Sequence, residues 1–176
     1  MIKPELRWQY AFTEDLSAER YPDNPDRAVL RPIVLVGFSE LEQKVEALVD
    51  SGCEHILAAP WIARALGLDL EGTFREINLG IGGETLRVRF LDVLIRLYAP
   101  YPSQDTYIEW GAEVGFQHGW RPTWQVLLGQ IGFYDRFTVT MHRGAQSLVI
   151  EDSDTFDNRF GVPTGSTSMS QPRFAP

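Results

Sequence analysis

From residue 31 onward the chain alternates between short apolar stretches and polar breaks, at the length of β-strands. Residues 32–38 form one β-branched run and residues 44–49 a second, with polar residues 39–43 between them, which predicts a hairpin. Pro60 and Gly67 bracket a segment in which Trp61, Ala65 and Leu66 recur at helical spacing, so residues 60–66 predict a short helix. Proline suits a helix's first turn and glycine the position just past its end. Residues 74–79 and 85–97 read as strands joined by Gly80-Ile81-Gly82-Gly83, and the second alternates Leu86, Val88 and Phe90 against Arg87 and Arg89. The loop 98–105 carries two prolines, residues 106–116 alternate again, and 125–128 form a further apolar strand. Residues 130–137 predict one helical turn, and 138–142 with 147–151 a closing hairpin around Arg143-Gly144.

These elements predict a mostly β domain over residues 31–151 with one or two short helices. Residues 1–30 are polar and mixed, with a turn marked by Pro22, Asn24 and Pro25, and read as an N-terminal extension. Beyond Glu151 the composition shifts to Ser, Thr, Pro, Gly and Asp, so residues 152–176 are expected to form a disordered tail. No internal repeat interrupts this order.

Candidate chemistry concentrates at Leu48-Val49-Asp50-Ser51-Gly52. An apolar strand delivers a carboxylate, then a hydroxyl, then a glycine that permits a tight turn. A carboxylate at the end of a buried strand is costly unless another group shares its proton. Asp, Ser and Gly are also ordinary turn residues, so the tripeptide alone reads first as a turn. The order of the flanking motifs changes that weighting. A glycine-tipped hairpin follows at 80–83, as a mobile lid over a cleft needs, and Val126-Leu127-Leu128-Gly129 comes later.

In this order the motifs resemble the retropepsin-like aspartic proteases, over residues 31–151. Residues 48–53 look like that family's catalytic loop, with Cys53 where alanine is usual; 79–84 are similar to its flap tip. Residues 126–137 resemble its second apolar-apolar-Gly signature, whose strand threads the catalytic loop. The segment 98–124 is longer and more aromatic than in the retroviral enzymes. The resemblance implies a closed acid-protease β-barrel and an aspartic endopeptidase that works as a homodimer on peptide or protein substrates. Asp50 of each chain would then supply one carboxylate of a proton-sharing pair. It further implies that Ser51 ties the two loops together and that Gly52 offers its carbonyl to substrate. Glu54, His55, Ile81, Gly82 and Gly83 would line or close the cleft. No cofactor is implied. The alternatives are a peptide-binding or dimerisation module that keeps the fold without turnover, and an unrelated β-barrel ligand carrier.

Other chemistry ranks lower. Cys53 and His55 lack a third group to orient a base, and a buried inert cysteine is the simpler reading. His55, His118 and His142 lack metal-ligand spacing. The glycines at 80–83 are not followed by the Lys-Ser or Lys-Thr of a phosphate loop. Trp110, Trp120 and Trp124 read as core or cleft-rim residues, with a peptide-binding wall or dimer surface as the alternatives.

At 176 residues one domain is expected, and a net charge of −8 argues against nucleic acid as a partner. One cysteine permits no intrachain disulfide, and no apolar stretch approaches the roughly 20 residues that span a bilayer. The first ten residues carry Lys3, Glu5 and Arg7 and no signal-like apolar core. A cytoplasmic protein without a membrane partner is the resulting expectation.

Overall fold

Period-two alternation becomes strand almost wherever it occurs, because successive side chains then face core and solvent in turn. The computed structural model describes residues 6–15, 28–38, 40–72, 75–79, 84–117, 119–121 and 123–160. Over these the chain forms twelve strands and two short helices. The first strands are β1 (Arg7–Ala11), β2 (Thr13–Glu14), β3 (Leu30–Arg31), β4 (Ile33–Phe38), β5 (Val45–Val49) and β6 (Ile56–Ala58). Helix α1 (Pro60–Ala65) follows, then β7 (Arg75–Leu79), β8 (Glu84–Tyr98), β9 (Tyr107–Phe116) and β10 (Val126–Leu128). The last elements are β11 (Phe137–His142), β12 (Ser147–Asp152) and helix α2 (Ser153–Phe160).

Six strands close on themselves in the order β4, β5, β10, β6, β9, β8. Closure comes from Val36↔Leu97, Gly37↔Arg96 and Phe38↔Ile95, which return β8 to β4 and leave no free edge between them. The fold is thus mostly β, as the strand pattern predicted, and closed into a barrel, which the resemblance and not the pattern had implied. Its interior is filled by Val36, Phe38, Ala47, Val49, Ile95, Leu97, Val114, Phe116, Val126 and Leu128, all nearly or wholly buried. A fully buried side chain of the Val, Leu, Ile or Phe type contributes about 1.5–3 kcal/mol, so this layer is the main source of stability. The fifteen-residue β8 outruns the barrel, and its first part pairs with β7 from Arg75↔Val88 to Leu79↔Glu84.

Two expectations are corrected. The N-terminal residues are not simply an extension: β1 pairs with β12 from Arg7↔Glu151 to Ala11↔Ser147, in a sheet completed by β11. Leu6 and Tyr10 join the same core as the barrel, and the Tyr10 hydroxyl donates to the Tyr98 carbonyl at 2.8 Å. Residues 153–160 of the expected tail form α2, which Asp152 caps by accepting from the Thr155 N–H at 2.7 Å; the rest of that tail lies outside the described residues. Residues 130–137 hold the expected single helical turn, closed by the Phe137 N–H donating to the Phe133 carbonyl at 2.9 Å, within a longer run of turns. The short helix at 60–66 is α1, and Gly67 ends it with φ +68°, a value glycine adopts without strain. No helix among the described residues is long and apolar enough to cross a membrane.

Candidate active site

β5 and β6 are joined by the loop that carries Asp50, yet they are not neighbours. β10 lies between them, parallel to β5 through Val126↔Ala47 and Leu128↔Val49 and antiparallel to β6 through Val126↔Ala58. The 50–55 loop therefore straddles the end of β10. Apolar side chains drive this arrangement, since Val49, Val126 and Leu128 are buried on both sides of the junction. Backbone bonds then hold the loop. Asp50 N–H donates to the Leu128 carbonyl at 3.1 Å, Gln130 N–H to Cys53 at 2.9 Å and Ile131 N–H to Glu54 at 2.7 Å. The Gln130 side chain adds a bond to the Ser51 carbonyl at 2.8 Å. Gly129 allows this approach: a Cβ there would lie 2.2 Å from the His55 carbonyl oxygen and 2.7 Å from that of Cys53. Both are backbone atoms that cannot step aside.

Asp50 sits half-buried at the mouth of this loop, with Ser51 and Gly52 exposed beside it. Its Oδ1 accepts from the Gly52 N–H at 2.9 Å, which fixes the carboxylate on its own turn. Cys53 is buried and its thiol donates to the His55 carbonyl at 3.1 Å. Burial raises the thiol pKa, the bond to His55 opposes this, and the negative charges of Asp50 and Glu54 raise it further. A thiol held neutral in this way is a poor nucleophile. Glu54 is exposed, and its Oε1 lies 3.8 Å from His55 Nε2. The His55 ring meets the edge of Phe90 at 4.7 Å, and the Arg75 guanidinium covers the Phe90 ring at 3.7 Å. The loop is thereby wedged against the base of the β7–β8 hairpin.

The structure therefore brings Asp50, Ser51, Gly52, Glu54 and His55 into one loop. Ile81, Gly82 and Gly83 lie outside the described residues. No group of three or more His, Cys, Asp or Glu side chains is arranged to hold a metal among the described residues.

Sequence reasoning missed Tyr134. Its hydroxyl is buried without a hydrogen-bond partner among the described residues. It faces Asp50 and Ser51 without meeting either in hydrogen-bond geometry. Burial raises its pKa first and the Asp50 charge second, while the Ser51 hydroxyl acts in the opposite direction. Its ring meets Phe133, which packs with Phe137 and Trp110 to lock the segment, and Trp110 Nε1–H donates to the Gly132 carbonyl at 3.0 Å. The available signal was a tyrosine five residues after Gly129 in an otherwise aromatic and apolar turn. No known protein-family model matches this chain, and neither does any curated protein sequence.

Proposed function

We propose that the chain is one half of an aspartic endopeptidase of the retropepsin type, active as a homodimer in which each copy contributes Asp50. The observation that carries this reading is the loop of Asp50, Ser51 and Gly52 straddling the end of β10, with Gly129 packed against its backbone. That arrangement holds a carboxylate firmly at an open surface, where a twofold mate can present its own. Two carboxylates at short range cannot both ionise, so they share one proton. The ionised member takes a proton from water as the water oxygen attacks the scissile carbonyl carbon. The protonated member gives its proton to the carbonyl oxygen, producing a tetrahedral gem-diol. Collapse breaks the C–N bond, with one diol proton returned to a carboxylate and one proton delivered to the leaving amine. Ser51 and Gly52, exposed beside Asp50, are available to the mate and to the substrate backbone.

The test is cleavage of a quenched-fluorescence peptide library by wild type and Asp50→Asn. The amide is nearly isosteric but cannot take and return a proton. The expected loss is about 10²- to 10⁴-fold, the usual contribution of general acid–base catalysis. Circular dichroism checks that the variant is folded. Equal cleavage by the two proteins would reduce Asp50 to a turn residue and remove the hydrolase reading.

A further inference from the structure

At the end of β10 remote from Asp50 lies a pocket of about 370 Å³ to which the proposed hydrolysis assigns no role. That volume falls in the range of ligand sites. It is lined by Trp61 and Arg64 of α1, by Gly119, Trp120 and Arg121, and by Gln125. The Ala59 N–H donates to the Gln125 carbonyl at 2.8 Å and pins the start of α1 beside the entry to β10. Trp120 packs on Cys53, Leu57 and Val88, so the pocket wall is rooted under the Asp50 loop.

Its polarity is one-sided. Trp61 Nε1–H donates to Gln125 Oε1 at 2.6 Å. Because indole can only donate, this bond assigns the amide oxygen to Trp61 and leaves the Gln125 amide N–H groups for a ligand. Arg64 and Arg121 are exposed and take no ion-pair partner among the described residues. Every polar side chain among the described lining residues therefore offers donors, and none of those residues carries a carboxylate. Two guanidinium groups without an ion-pair partner among the described residues share one mouth on a chain of net charge −8. A guanidinium fork matches a carboxylate in plane, and indole faces pack flat or aliphatic groups.

We propose that this pocket docks an acidic peptide segment, with a Glu or Asp carboxylate between Arg64 and Arg121 and a neighbouring apolar side chain against Trp61 and Trp120. A polyanion such as nucleic acid would be repelled by the rest of the surface, and a bare phosphate would leave both indoles unused. The three residues of β10 separate the pocket from Asp50 by about 10 Å at strand rise, close enough for one extended peptide to reach both. Docking stands independently of hydrolysis.

Isothermal titration calorimetry on the full chain in the Asp50→Asn background tests it, since turnover then cannot consume the probe. Three octapeptides serve as probes, all with leucine and phenylalanine beside the test positions. One carries two glutamates with both ends blocked, the second has glutamine in their place, and the third is the glutamine peptide with a free C-terminal carboxylate. The glutamate peptide is expected to bind at least tenfold more tightly than its blocked glutamine counterpart, more weakly as salt rises. Arg64→Gln with Arg121→Gln is expected to remove that preference, and Trp120→Ala to weaken both blocked peptides. Arg143→Gln, at an exposed turn, should change nothing. Preference for the third peptide alone would overturn the proposal, since the carboxylate bound would then be a chain end and not an acidic side chain. Equal binding of all three peptides would overturn the proposal. So would a glutamate preference that survives the double variant, or that Arg143→Gln reduces equally. Complete displacement by inorganic phosphate with no effect of Trp120→Ala would make it a bare anion site and also overturn it.

Discussion

Tyr134 buries a hydroxyl beside Asp50 and Ser51 and satisfies no hydrogen bond with it among the described residues. Leaving such a group unpaired costs about 1–3 kcal/mol. Tyr134→Phe is therefore expected to stabilise the fold by about 1 kcal/mol while lowering peptide cleavage, because the group facing the loop is lost. Denaturant unfolding and initial rates together decide this, and a variant unchanged in both would make the hydroxyl incidental. Tyr10 illustrates the opposite case, a buried hydroxyl that is paired, with the Tyr98 carbonyl as acceptor. Burial raises its pKa well above the ordinary value near 10. The folded value thus exceeds the unfolded one, so its contribution is complete below about pH 10 and is lost as pH rises beyond that. Thermal midpoints should fall above pH 10, and fall less steeply in Tyr10→Phe. Tyr134 and Cys53, also raised, keep part of the slope. At neutral pH the same variant is expected to lose about 1 kcal/mol, the net worth of one hydrogen bond.

At the level of elements, α2 shows how little apolar surface a segment needs in order to matter. Glu151 on β12 is fully buried, with Arg159 Nη2 2.7 Å from Oε2 and Arg7 Nε 3.7 Å from Oε1. Neither oxygen is met in line by a hydrogen-bond donor, so the pairing is mainly one of charge. Thr155 of α2 also accepts from the Leu6 N–H at 3.2 Å, tying the helix to the strand beside it. Truncation after Asp152 removes Arg159 and Thr155 together. Stripping one partner from a buried pair costs about 3 kcal/mol, equivalent to roughly 6–12 °C in thermal midpoint for a chain of this size. Differential scanning calorimetry should record that fall, and Glu151→Leu in the truncated chain should recover part of it. An unchanged midpoint would return α2 to the status of a dispensable tail.

Each chain holds a single Asp-Ser-Gly, at Asp50, so the proposed chemistry requires a second copy. Ile131 is 42% exposed although its N–H is bound to the Glu54 carbonyl, so it presents an apolar side chain on the face that carries Asp50. Sedimentation at micromolar concentration is expected to show a dimer, and Ile131→Asp a folded monomer without peptide cleavage. A wild-type monomer at all concentrations, with or without added peptide, would leave Asp50 without its mate.

The β-branched runs at 32–38 and 44–49 and the alternation along 106–116 were enough to determine strands, because composition and side-chain period are local properties. The motif of Asp50, Ser51 and Gly52, and the glycine at 129, were legible for the same reason: tight turns and close approaches select particular residues. What the tertiary structure alone decided depends on pairing across long separations. Polar-looking residues 7–11 became a strand because residues 147–151 supply the matching register. Residues 153–160 became a helix against β12 and β11, where Arg159 pairs with the buried carboxylate of Glu151. Tyr134 faces Asp50, and Arg64 shares a pocket with Arg121, only after β10 enters between β5 and β6. No local pattern encodes that insertion, since it depends on which buried surfaces meet once the barrel closes.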